Sequence, residues 1–106
     1  MSTPKELSPS VRAHLKKLAH PLKPIVQIGG QGVTDGVVAA LDQALRDHEL
    51  VKIKVGQSFE GDRQETAEEL ARRTNASVCQ VMGRVLTLFR AHPPHARKST
   101  SIELPR

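Results

Sequence analysis

KPIVQIGGQGVTDGVV, residues 23–38, joins a short apolar alternation to a glycine-rich turn and then to an amphipathic stretch. Val26 and Ile28 fall on one side of an extended segment, and Pro24 sits near its start, where a missing backbone donor does least harm. From Thr34 onward, Val37, Val38, Leu41, Ala44 and Leu45 recur at the 3.6-residue period of a helix that reaches about His48. The expected unit is therefore a strand over 23–28, a turn, and a helix over 34–48. Four glycines stand at positions 29, 30, 32 and 36. Each costs roughly 0.5–1 kcal/mol wherever ordinary secondary structure would do, so their concentration needs a reason.

A nucleotide-phosphate loop of the GxxxxGK[ST] kind requires a lysine that does not follow these glycines. The dinucleotide pattern GxGxxG fails on the spacing of Gly30, Gly32 and Gly36. What remains is Gly29-Gly30-Gln31-Gly32, a GxxG element between strand and helix. Such a loop lets another backbone approach closely, and its N–H groups can point with the helix N-terminus at a phosphate oxygen. A tight turn that needs positive φ explains the same residues.

Working outward, Ser8-Pro9 starts a helix, with the hydroxyl as cap and proline in the first turn. Val11, Leu15 and Leu18 form its expected inward stripe, and Pro21 ends it. In LVKIKV, residues 50–55, Val51, Ile53 and Val55 alternate with Lys52 and Lys54, which predicts one core face and one wet face. Asp62 and Glu65 make a capping-box arrangement for a helix to about Thr74 that buries Ala67, Leu70 and Ala71, with Asn75 at its exit. Val78–Met82 and Val85–Arg90 read as strands joined at Gly83-Arg84. After Ala91 the chain is tail-like, with IEL at 102–104 as an optional edge strand.

The order helix, strand, helix, strand, helix, strand, strand predicts an α/β fold: a small two-layer mixed sheet with packed helices. The length of 106 residues suits one domain. It divides into a lead at 1–7, a domain at 8–90 and a basic tail at 91–106.

The net charge of +5 is unevenly placed. Residues 1–30 carry five basic and one acidic side chain, residues 31–69 four and nine, and residues 70–106 seven and one. Two basic ends that converge in the fold would suit a polyanion. Only Phe59 and Phe89 are aromatic, which disfavours successive base stacking. The single cysteine, Cys79, excludes an intramolecular disulfide and reads as a buried thiol. No membrane span or signal segment is evident, so a cytoplasmic location is expected. His92 and His95 lack partners for a metal set, and Asp35, His48 and Glu49 form no nucleophile and base constellation. No catalytic residue, metal or cofactor is expected.

The stretches HLKKLAHPLKPIVQIGGQGVTDGV (14–37) and HELVKIKV (48–55), with Asp62-Arg63 and the strands around 81–90, resemble the CRM domain. That domain occurs singly in small YhbY-type bacterial proteins and as repeats in plant organelle splicing factors. The resemblance covers nearly all of 8–90 and implies a fold like the C-terminal domain of translation initiation factor three. It also implies RNA binding, with structured ribosomal RNA and the large ribosomal subunit precursor as partners, and ribosomal proteins or assembly factors beside them. Carried onto this chain, the RNA-binding loop is Gly29, Gly30, Gln31 and Gly32, followed by Thr34. The basic surface draws on Lys16, Lys17, Lys23, Lys52, Lys54 and Arg84. Gly30 and Gln31 carry no charge, so any phosphate grip in the loop must come from backbone groups. The competing reading is a protein-interaction adaptor in ribosome assembly, with RNA association indirect.

Overall fold

The computed structural model describes residues 7–93 and 102. Its elements are α1 (Pro9–Ala19), β1 (Val26–Ile28), α2 (Asp35–His48), β2 (Leu50–Val55), α3 (Arg63–Thr74), β3 (Ser77–Met82) and β4 (Val85–Phe89). The lead through residue 6, His95 and the proposed strand at 103–104 lie outside the described residues; Ile102 is not in a strand.

Each helix begins on a side-chain cap. Ser8 Oγ accepts from the Val11 N–H at 3.3 Å, Thr34 Oγ1 from Val37 at 3.1 Å, and the Asp62 carboxylate from Gln64 at 2.8 Å and Glu65 at 3.4 Å. Each cap satisfies a donor that the helix itself leaves open, typically a contribution of ~1 kcal/mol. Asn75 ends α3 in the left-handed region at φ 57°, which asparagine tolerates better than most residues.

The four strands form one mixed sheet in the order β1-β2-β4-β3. β1 pairs in parallel with β2, and β4 is antiparallel to both β2 and β3. The sequence suggests two parallel crossovers, and the first pairs as expected. The second, through α3, leaves a gap of one strand between β2 and β3, and β4 folds back into it. β1 is also shorter than the expected 23–28, because its ladder begins only at Val26.

The larger core lies between the sheet and the α2/α3 layer. Val26, Ile28, Val51, Ile53, Val55, Leu86 and Leu88 meet Leu41, Leu45, Ala67 and Leu70 there, all buried. The opposite face is not simply wet. α1 packs Leu15 and Ala19 on Leu50, Cys79 and Phe89, making a second, smaller cluster at one end of that face. Within α1 the inward stripe is Leu15 and Ala19; Leu18, expected inside, is 39% exposed. Leu18 lies instead on the flank of α1, on the wall of a groove that it shares with Leu22, Ile25 and Leu50.

Two polar devices fasten the sheet end beneath α1. Arg90 donates from Nη1 to Asp42 Oδ1 at 2.8 Å and to the Thr74 carbonyl at 2.7 Å, and from Nη2 to the Asp42 carbonyl at 3.1 Å. Glu49, fully buried, accepts from the backbone N–H groups of His92 and Ile102. A carboxylate can be buried there because its oxygens meet donors.

Candidate nucleic-acid interface

Three connections meet at the end of the sheet away from α1. Since β1 and β2 run parallel, the glycine loop and the 56–62 connection leave from the same end. β4 opposes β2, so the Gly83-Arg84 hairpin closes there too. Gly56 donates its N–H to the Ile28 carbonyl at 2.8 Å, and Val55 donates to the Arg84 carbonyl at 2.7 Å. Arg84 Nη1 returns a bond to the Gly56 carbonyl at 3.0 Å. The N-termini of α2 and α3 start from this same cluster; that of α2 adds its positive end to the basic side chains, whereas that of α3 is capped by the Asp62 carboxylate.

Within the glycine loop, Gly32 donates to the Gly29 carbonyl at 3.0 Å and closes a turn. Gly32 has φ +74°, and a Cβ there would stand 3.3 Å from Phe59 Cε1. A Cβ on Gly30 would stand 3.2 Å from Ser58 Oγ. The loop thus leans on the 56–61 segment, whose own Gly61 lies so close to the Phe59 ring that a Cβ would overlap it. The N–H groups of Gly30 and Gln31 have no backbone partner among the described residues, and both residues are exposed. Thr34, half-buried, is the α2 cap, so its hydroxyl is engaged with Val37.

The sheet face beside this loop is open where α1 does not reach. Gln27, Lys54, Val85 and Met82 are paired in register across all four strands and form one transverse row. Gln27 and Lys54 are exposed, and Met82 is 62% exposed. Lys54 therefore stands in the middle of an uncovered strip that ends at the hairpin bearing Arg84.

The other basic residues are distributed differently. Lys52 is half-buried, and its Nζ donates to the Leu22 carbonyl at 3.1 Å and the His20 carbonyl at 3.5 Å, stitching β2 to the α1–β1 connection. Lys23 lies in that connection, beside Lys52, Leu18, Leu22 and Ile25. Lys16 and Lys17 are exposed on α1, whose buried side rests on the far end of the sheet. The structure gathers Gly29–Gly32, Thr34, Lys54 and Arg84 at one end, and it places Lys16, Lys17, Lys23 and Lys52 along a second, separate region.

Sequence reasoning missed Ser58, Phe59 and Arg63, which complete the loop end. The signal was present in Gly56 and Gly61, which bracket this segment, since glycine permits a close backbone approach: Gly56 lies against the Ile28 carbonyl and Gly61 against the Phe59 ring. Asp35, in the first turn of α2, would repel an anion, but it is paired with Arg73 of α3 at 3.0 Å. Cys79 is buried beneath α1, and burial pushes its thiol pKa up from the ordinary 9.0 despite the nearby positive charges of Arg12 and Lys16. Among the described residues, no group of three His, Cys, Asp or Glu side chains could hold a metal ion, and no helix is long and apolar enough to cross a membrane.

Comparison with known proteins meets this geometry from another direction. An "RNA-binding protein" of Haemophilus influenzae is 38% identical over 94% of this chain and 96% of its own length. A Pseudomonas aeruginosa protein named "Probable RNA-binding protein" is 30% identical over 91% of this chain and 92% of its own. The solution structure of a hypothetical Staphylococcus aureus protein, described there as a candidate RNA binder, superposes with a TM-score of 0.78 at 32% identity, covering 94% of this chain and all of the other. The CRS1 / YhbY (CRM) domain family matches residues 7–90, from just before α1 to the arginine that clamps α2. With the mixed sheet, the glycine loop and this match in place, the chain belongs to the CRS1 / YhbY (CRM) domain family.

Proposed function

We propose that this protein is a noncatalytic RNA-binding domain that docks on structured ribosomal RNA of the large-subunit precursor, in the cytoplasm, and assists assembly. The observation that carries this reading is the convergence at one sheet end of the glycine loop, the N-terminus of α2, Lys54 and Arg84. Uncharged backbone N–H groups at Gly30 and Gln31 position a phosphate, and the lysines and arginines supply salt-sensitive attraction. With few aromatic residues at hand, selectivity comes from RNA shape more than from base stacking. The names carried by the relatives support the same partner class. Titration of a large-subunit precursor RNA at several salt concentrations tests the reading. Binding should weaken steeply with salt and weaken further in a Lys54, Arg84 charge-removal variant. Negligible binding by the intact chain even at low salt would end it.

A second reading, a protein-interaction adaptor with indirect RNA association, has one observation in its favour. Leu18, Leu22 and Ile25, respectively 39%, 40% and 56% exposed, line a single apolar groove between α1 and β1. Association with pre-ribosomal particles that persists after ribonuclease treatment would favour it.

A further inference from the structure

Beyond the 56–61 segment from the glycine loop lies a cavity of about 430 Å³ lined by Val55, Phe59, Gly61, Asp62, Arg63 and Arg84. Its charge is set by two guanidinium groups against one carboxylate. That carboxylate, from Asp62, is turned to the Gln64 and Glu65 N–H groups, so the first turn of α3 is already capped and the helix end is not the donor available to a ligand. The arginines are. Arg84 is held in place by one Nη1 bond to the Gly56 carbonyl, and its planar fork has further N–H groups to offer. Arg63, exposed at the first position of α3, makes no ion pair among the described residues. Phe59 forms a wall shared between this cavity and the glycine loop, since its ring lies against both Gly32 and Gly61.

Two arginines converging on one polar recess beside a backbone-donor loop fit two successive anionic groups on a single chain. We infer that the cavity is a phosphate subsite, taking a backbone phosphate of the same RNA strand that contacts the glycine loop, with the strand crossing over Ser58 and Phe59. The inference rests on the RNA-binding reading and adds to it a path for the strand and a contact residue, Arg63. Arginine suits the task because its fork matches phosphate oxygens in a bidentate way that a lysine does not.

The test is a salt series of RNA affinity with the full chain, Arg63→Gln, Arg84→Lys, Lys54→Gln and, as a control on α1, Arg12→Gln. Loss of one phosphate contact lowers the slope of log K against log salt by about 0.7–0.9, and this is expected for Arg63→Gln but not for Arg12→Gln. Arg84→Lys keeps the charge and should weaken binding with little change in slope. Amide spectra of each variant check that the fold is kept, and titration of the intact chain with inorganic phosphate should shift the Gly61 and Arg63 amides and the Arg84 side chain. If Lys54→Gln lowers the slope while Arg63→Gln leaves slope and affinity unchanged, the subsite is wrong and the RNA-binding reading stands. If the intact chain binds no RNA, the reading itself fails and the subsite with it.

Discussion

Gly32 and Phe59 are in a contact that leaves no room for a side chain: a Cβ on the glycine would stand 3.3 Å from the ring, at a backbone φ of +74° that L-residues rarely adopt. Both conditions act against substitution. Gly32→Ala should therefore cost about 1–2 kcal/mol in urea unfolding, through strain at positive φ and displacement of the ring. Gly29→Ala, with nothing near its Cβ position, should change stability far less. Equal effects would mean that the glycine loop does not rest on Phe59.

Arg90 joins α2 to the end of α3 through Asp42 and the Thr74 carbonyl. The pair is only partly shielded, with 22% and 33% of the two side chains exposed, so the full cost of a buried ion pair does not apply. Arg90→Ala should cost about 1–3 kcal/mol in denaturant unfolding. Arg90→Lys should recover little of it, because one ammonium cannot span the two groups as the fork does.

Lys52 and Lys54 stand two residues apart on one strand face, yet their surroundings assign them different work. Lys52→Met removes the donor to the Leu22 carbonyl and should cost about 0.5–1.5 kcal/mol of stability. Lys54→Gln, at an exposed position without an ion pair among the described residues, should leave the melting temperature nearly unchanged and reduce RNA affinity. Thermal unfolding and an RNA titration, run on both variants, separate the two roles.

Cys79 is protonated at neutral pH, with its pKa raised mainly by burial. The unfolded thiol ionises first as the pH rises. The contribution of this group to stability is thus fully present below pH 9.0 and is lost as the pH climbs toward the higher folded value. Alkylation of the folded protein should be slow at pH 7–8 and should track unfolding in denaturant. Rapid labelling under native conditions would contradict the packing of α1 over this residue.

Much of the fold was legible in the sequence because the signals were local. The caps Ser8 and Asp62, the alternation in 50–55 and the helical spacing from Val37 to Leu45 each dictate an element through its own neighbours. What escaped was set by distant partners. Nothing near Leu50, Cys79 or Phe89 in the chain announces that α1 will cover them, and nothing near Glu49 shows that the backbone of His92 and Ile102 will satisfy its carboxylate. The candidate site divides the same way. Gly29–Gly32 could be read from spacing, whereas the separation of Lys54 from Lys52, and the arrival of Arg84 and Arg63 at one cavity, depend on strand order and on hydrogen bonds between segments.

The central claim is that RNA is met at the sheet end bearing the glycine loop. Amide chemical-shift mapping of the intact chain, titrated with a structured large-subunit precursor RNA fragment, tests it most directly. The expected shifts fall on Gly29–Thr34, Lys54, Ser58–Arg63 and Gly83-Arg84, with the Leu50, Cys79 and Phe89 cluster beneath α1 unchanged. Shifts confined to α1 and the Leu18, Leu22, Ile25 groove, with the glycine loop silent, would contradict it.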